Sequence, residues 1–137
     1  MTPKQVLAGA LLAASLAAAW PATAADKASA LLKDTNGNAV GKIELTDTPK
    51  GVLMRLELTG VPAGEHAFHV HEIGKCEPPD FKSAGAHFNP DSHKHGLMNA
   101  QGPHAGDMPN LHVPEGGKLS LEVLNPMVTL RCGTGVA

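Results

Sequence analysis

Beyond residue 25, apolar and polar residues alternate with a period of two and are interrupted repeatedly by Gly, Pro and Asn. That period predicts β-strands, and no stretch of useful length carries the 3.6-residue period of an amphipathic helix. The clearest run is Val52 to Thr59, where Val52, Met54, Leu56 and Leu58 point one way and Leu53, Arg55, Glu57 and Thr59 the other. Upstream, Ser29 to Lys33 and Ala39 to Thr46 flank Asp34-Thr35-Asn36-Gly37-Asn38, whose Asn-Gly step predicts a hairpin. Downstream, Leu111 to Val113 and Lys118 to Leu124 flank Pro114-Glu115-Gly116-Gly117 and predict a second hairpin. Glu65 to Glu72 reads as extended, and a last strand is expected over Met127 to Leu130. Between these elements runs an aperiodic segment from Ile73 to Asn110, too long for a compact domain unless something ties it down. The expected fold is all-β: an antiparallel Greek-key sandwich or flattened barrel carrying one long loop.

The first residues obey a different pattern. Lys4 precedes an apolar or small run from Val6 to Trp20, followed by Ala22-Thr23-Ala24. This arrangement predicts a secretory signal peptide over residues 1–24, cut near Ala24 or Ala25, and one domain over residues 25–137. The apolar run falls short of the roughly 20 residues that span a bilayer, so no membrane association is expected after cleavage. Removing the segment deletes Lys4 and no acid, which moves the net charge from -2 to -3 with histidines neutral. So weak an acidic balance offers nothing to nucleic acid. Export places the mature chain in the periplasm or outside the cell, where two cysteines can pair. With Trp20 in the leader and no tyrosine, the core must come from Val, Ile, Leu, Met and the three Phe residues.

Candidate chemistry is concentrated in the long segment and just before it. His69, His71, His87, His95, His104 and Asp107 are all capable of binding metal. On an extended backbone His69 and His71 leave the same face, while Phe68 and Val70 turn to the core, so a rigid strand fixes the spacing of two imidazoles. The surrounding blocks are Phe68-His69-Val70-His71-Glu72, Ser83-Ala84-Gly85-Ala86-His87-Phe88-Asn89-Pro90, Lys94-His95-Gly96 and Gly102-Pro103-His104-Ala105-Gly106-Asp107. Together they resemble the copper/zinc superoxide dismutase family, over about Ala30 to about Leu130.

The resemblance implies a specific division of labour. His69, His71 and His87 match copper ligands; His87, His95, His104 and Asp107 match zinc ligands. His87 would bridge the two metals and act as the catalytic proton carrier while superoxide, the substrate, is converted to oxygen and hydrogen peroxide. Cys76 stands where the family places a disulfide cysteine, which makes Cys132 its candidate partner, with a free Cys132 or a bond between chains as the alternatives, and a homodimer is the implied assembly. Three imidazoles and a carboxylate suit zinc, and binding at a site drawn from an unstructured loop is also folding energy.

Past Leu130 the likeness stops, without the family's charged loop, fourth copper histidine, guiding arginine, acidic ligand-orienting residue or final strand. In one reading Arg131 to Ala137 is a tail after a truncation that removes the last strands; in the other, Arg131-Cys132-Gly133 is the family's closing segment after a deletion. Two functions follow: a working dismutase, or a zinc- and copper-binding relative with impaired catalysis. A metal hydrolase is disfavoured because Glu72-Ile73-Gly74 replaces the Asp-His continuation of a His-x-His-x-Asp-His run. His66, His93 and His112 are expected to be solvated or hydrogen-bonded surface residues.

Overall fold

The computed structural model describes residues 26–131. The expected signal peptide and Cys132, and with it the expected Cys76–Cys132 pairing, lie outside the described residues; Cys76 itself is exposed. Six strands form two layers: β1 (Lys27–Lys33), β2 (Ala39–Thr48), β3 (Gly51–Thr59), β4 (Gly64–His66), β5 (Leu111–Val113) and β6 (Lys118–Asn125). The larger sheet has the antiparallel order β1-β2-β3-β6, and β4 pairs with β5 in the second. No helix of the described residues is long and apolar enough to cross a membrane.

Strand β3 behaves as its alternation predicts. Val52, Met54, Leu56 and Leu58 are buried, and Arg55, Glu57 and Thr59 are exposed. Register then aligns like with like: Leu56 stands between Ile43 of β2 and Leu121 of β6, and Met54 between Leu45 and Val123. Leu111 and Val113 of the second layer close over this face together with Ala105 and Met108, while Phe68, Val70 and Phe88 pack at its margin. The first hairpin forms as expected: the Asp34 carboxylate accepts the N–H groups of Asn36 and Asn38, and Gly37 takes the positive φ of 85° that the turn demands.

Three expectations are corrected. The second hairpin does not form, because β5 crosses to pair with β4 and β6 returns beside β3. Local turn chemistry at Pro114–Gly117 was right, since Gly117 donates to the Pro114 carbonyl, but the turn passes the chain between sheets. The segment from Glu65 to Glu72 is a strand only as far as His66; beyond it two isolated bridges, His69 to Asp107 and His71 to His87, replace a continuous ladder. Met127 to Leu130 is not a strand. It curls back on β2, where the Asp47 carboxylate accepts Thr129 Oγ1 at 3.0 Å, Leu130 N–H at 3.1 Å and Arg131 Nε at 2.8 Å.

Leu56 is fully buried at the centre of this packing. Leu56→Ala should lower unfolding stability by about 2–5 kcal/mol in denaturant titrations, against a change within about 0.5 kcal/mol for exposed Glu57→Ala. Equal small effects for both would refute the core described here.

Candidate metal centre

Three passes of backbone build the site. Val70 N–H donates to the Gly106 carbonyl at 2.8 Å, Gly106 N–H to Phe88 at 2.8 Å, and Phe88 N–H to Val70 at 2.9 Å, a closed triangle of hydrogen bonds. Every residue of that triangle has a ligand candidate as its immediate neighbour: His69 and His71 beside Val70, His87 before Phe88, and Asp107 after Gly106. Alternation does the rest, turning Val70 and Phe88 toward the core and the imidazoles away from it. Gly106 is required by close approach, since a Cβ there would lie 2.2 Å from the Val70 carbonyl oxygen.

His95 and His104 arrive on a loop with its own staples. Asn89 and His93 exchange hydrogen bonds of 2.9 Å, Lys94 N–H donates to Gln101, and His93 Nδ1 lies 3.1 Å from the Pro103 carbonyl, one residue before His104. From the sheet, buried Asn125 donates to the Ala105 carbonyl at 2.9 Å. The segment that looked structureless in sequence is therefore fastened at both ends and in the middle, with one short 3-10 turn at Lys82–Ala84.

At the centre stands Asp107, whose side chain is 2% exposed. Its Oδ2 accepts the N–H groups of Gly96 at 2.8 Å and His104 at 3.0 Å. Its Oδ1 faces His95 Nδ1 at 3.1 Å, His87 Nδ1 at 3.3 Å and His104 Nδ1 at 3.5 Å. A tetrahedral zinc with bonds of about 2.0–2.1 Å sets its ligand atoms about 3.3–3.4 Å apart. The measured spacings straddle that value. His104 Nδ1 is moreover buried with no hydrogen-bond partner, an orphan of the kind a bound cation satisfies. Burial raises the Asp107 carboxyl, but the Gly96 and His104 amides and His95 outweigh it and hold the group at about 2.

Against the face of His87 stacks His69, at 3.9 Å between ring centres, and His71 stands near-perpendicular to it at 5.2 Å. His71 Nδ1 sits 3.0 Å from the Gly85 carbonyl, which can only accept; Nδ1 therefore carries the proton and Nε2 is the free nitrogen. Glu72 fixes the same turn by accepting Ala86 N–H at 3.1 Å. Burial first, and then the neighbouring His87, lowers the pKa of His69; burial and then His71 lowers that of His87. Both rings are thus kept neutral, the form that binds metal.

All six residues singled out in the sequence converge here. His66 Nε2 instead meets the Pro62 carbonyl, and His112 is exposed opposite Glu65 on the β4–β5 pair. Sequence reading missed the supporting residues Asn89, His93, Asn125 and Gly106. Only Gly106, between His104 and Asp107 in one block, carried a signal; His93 is the exposed, hydrogen-bonded surface residue expected, and its bonds happen to staple the loop.

Comparison with known proteins agrees with this geometry. Residues 39–136 match the family described as copper/zinc superoxide dismutase (SODC). Superoxide dismutase [Cu-Zn] 1 of Aquifex aeolicus is 54% identical over 108 residues, 78% of this chain and 64% of that protein. Superoxide dismutase [Cu-Zn] 2 of the same organism is 50% identical over 129 residues, covering 93% and 73% respectively. The chain thus spans about two thirds of the length of these curated relatives. Among solved structures, a SOD-like protein from Bacillus subtilis superposes with a TM-score of 0.74 at 36% identity, over 77% of this chain and 71% of that one. The Cu/Zn superoxide dismutase from Brucella abortus gives 0.64 at 26% identity, over 75% and 74%.

The site fixes the acid response of the metal-free protein. His69 and His87 have lowered values, so the unfolded chain takes up protons first, and stability should fall as the pH drops below the ordinary histidine value of about 6.5. Asp107, held at about 2, contributes stability that is complete above about pH 4 and is lost on the way down to 2. Urea midpoints should be flat from pH 8 to about 6.5 and fall in two stages below; a midpoint rising on acidification would contradict these assignments.

Proposed function

The chain belongs to the copper/zinc superoxide dismutase family, and we propose that it converts superoxide to oxygen and hydrogen peroxide with one copper and one zinc ion, outside the cytoplasm. One observation carries the reading. His87 turns Nδ1 to Asp107 Oδ1 at 3.3 Å while its ring is stacked on His69 at 3.9 Å and stands near-perpendicular to His71 at 5.2 Å. This one imidazole thus touches both the Asp107 group and the His69–His71 pair, which supports reading it as the shared ligand.

Zinc is assigned to His87, His95, His104 and Asp107, and copper to His69, His71 and His87. Copper supplies the one-electron exchange by which two superoxide anions and two protons become one oxygen and one hydrogen peroxide. The protein's own part is to hold and hand over a proton. His87 Nε2 is the atom placed to do so, because Nδ1 is engaged toward Asp107 and the ring is neutral at physiological pH. His71, locked by the Gly85 carbonyl, and His69, tied by its backbone bridge to Asp107, keep their separation without loop rearrangement.

A second reading, a metal-binding relative with weak turnover, is favoured by a different count. Among the described residues, the histidines outside the zinc set contribute only His69 and His71 beside His87, since His66 and His93 are engaged with backbone carbonyls and His112 lies exposed on β5.

Superoxide consumption separates the two. Mature protein recovered after export, its N-terminus expected just after Ala24 or Ala25, should consume superoxide far faster when loaded with copper and zinc than free copper at equal concentration. His69→Ala should lose most of that excess. A rate no better than free copper would leave the second reading standing.

A further inference from the structure

The structure assigns a second four-ligand metal set to this chain, His69, His87, His95 and Asp107, which takes His69 in place of His104 and receives an incoming divalent ion first. The inference rests on reading the Asp107 cage as a metal site and adds the order in which its ligands engage. One ligand atom from each of these four residues lies within 4.8 Å of the other three. His69 reaches the group through its backbone bridge to Asp107 and its stack on His87, with Nε2 3.9 Å from Asp107 Oδ1.

The lining of one surface pocket favours His69 over His104 as the first contact. A pocket of about 390 Å³ opens onto His69, His95 and Asp107 and is bounded by Leu97, Met108 and Asn110. His104 does not line it. The His69 and His104 side chains are about equally exposed, at 19% and 18%, but His104 Nδ1 is itself buried and His69 is the one that lines the pocket. An ion that enters by this pocket therefore meets His69, His95 and Asp107 before it can meet His104.

Distance decides which set keeps the ion. His69 Nε2, 3.9 Å from Asp107 Oδ1, must close to about 3.3–3.4 Å around a four-coordinate ion, further than His104 Nδ1 at 3.5 Å has to move. The His104 set already has its imidazole nitrogens 3.1–3.5 Å from Asp107 Oδ1. The His69 set is accordingly the looser one, and transfer to His104 both satisfies the buried orphan nitrogen and frees His69 for a second ion. Because three ligands are shared, the two sets cannot be filled together, and each substitutes for the other when its distinctive histidine is lost.

Cobalt(II) alone, at one equivalent on the metal-free mature protein, tests this through its visible absorption, without reference to activity. Wild type, His69→Ala, His104→Ala and the double variant are titrated after far-UV circular dichroism confirms folding, with Gln replacing Ala wherever it does not. His104→Ala is expected to retain cobalt with weakened affinity. His69→Ala should keep near wild-type affinity but take up cobalt several-fold more slowly, and the double variant should fall at least about 10-fold below the product of the single losses. Additive losses, or unchanged uptake by His69→Ala, would overturn the exchange of ligands. A wild-type protein that holds no cobalt overturns the cage itself, and with it the metal assignments above, which is a separate result.

Discussion

Two backbone N–H groups, those of Gly96 and His104, hold the Asp107 carboxylate from behind while three imidazole nitrogens face it from in front. A carboxylate so deeply buried is costly unless its lone pairs are used, and here both oxygens are engaged. The constraint reaches outward. Gly96 and His104 lie on opposite limbs of the loop, so one side chain closes the loop on itself. The next residue back, Gly106, ties that closure to Val70 and Phe88 and hence to the sheet. Remove the carboxylate and two amides, three imidazoles and the loop's closure lose their common partner.

The division between sheet and loop follows from how each is stabilised. The inner faces of β2, β3 and β6 bury a contiguous set of aliphatic side chains, enough to hold the four-stranded sheet by the hydrophobic effect. From Ile73 to Asn110 the chain offers little of this kind, with Phe88, Ala105 and Met108 as its contribution to the core and most other residues exposed. Polar staples such as Asn89–His93 and Asn125–Ala105 position that loop, and each is worth little on its own. On the proposed assignment, metal binding would add further order, and the Asp107 group would then serve structure as well as chemistry.

What was legible in the sequence follows the same line. Period-two alternation located β3 and the face of Leu56, because burial on one side of a sheet leaves a direct imprint on residue order. The six candidate ligands stood out through their flanking blocks, and the fold brings all six side chains into one neighbourhood. Partner choice between strands was not legible: nothing near Pro114–Gly117 distinguishes a hairpin from a crossover, and only the competition of β3 for β6 decides it. Met127 to Leu130 read as a strand because its apolar residues alternate well enough, yet Asp47, some eighty positions upstream, captures its backbone instead. Residues that act by hydrogen bonding to distant carbonyls, such as His93 and Asn125, leave no local trace at all.

The central claim is that Asp107 gathers three histidines into one tetrahedral cage, and zinc K-edge X-ray absorption of the protein with a single equivalent of zinc addresses it most directly. The account predicts four nitrogen or oxygen neighbours at about 2.0–2.1 Å with outer-shell scattering from three imidazole rings. A six-coordinate shell rich in water, or a sulfur neighbour at about 2.3 Å, would contradict it.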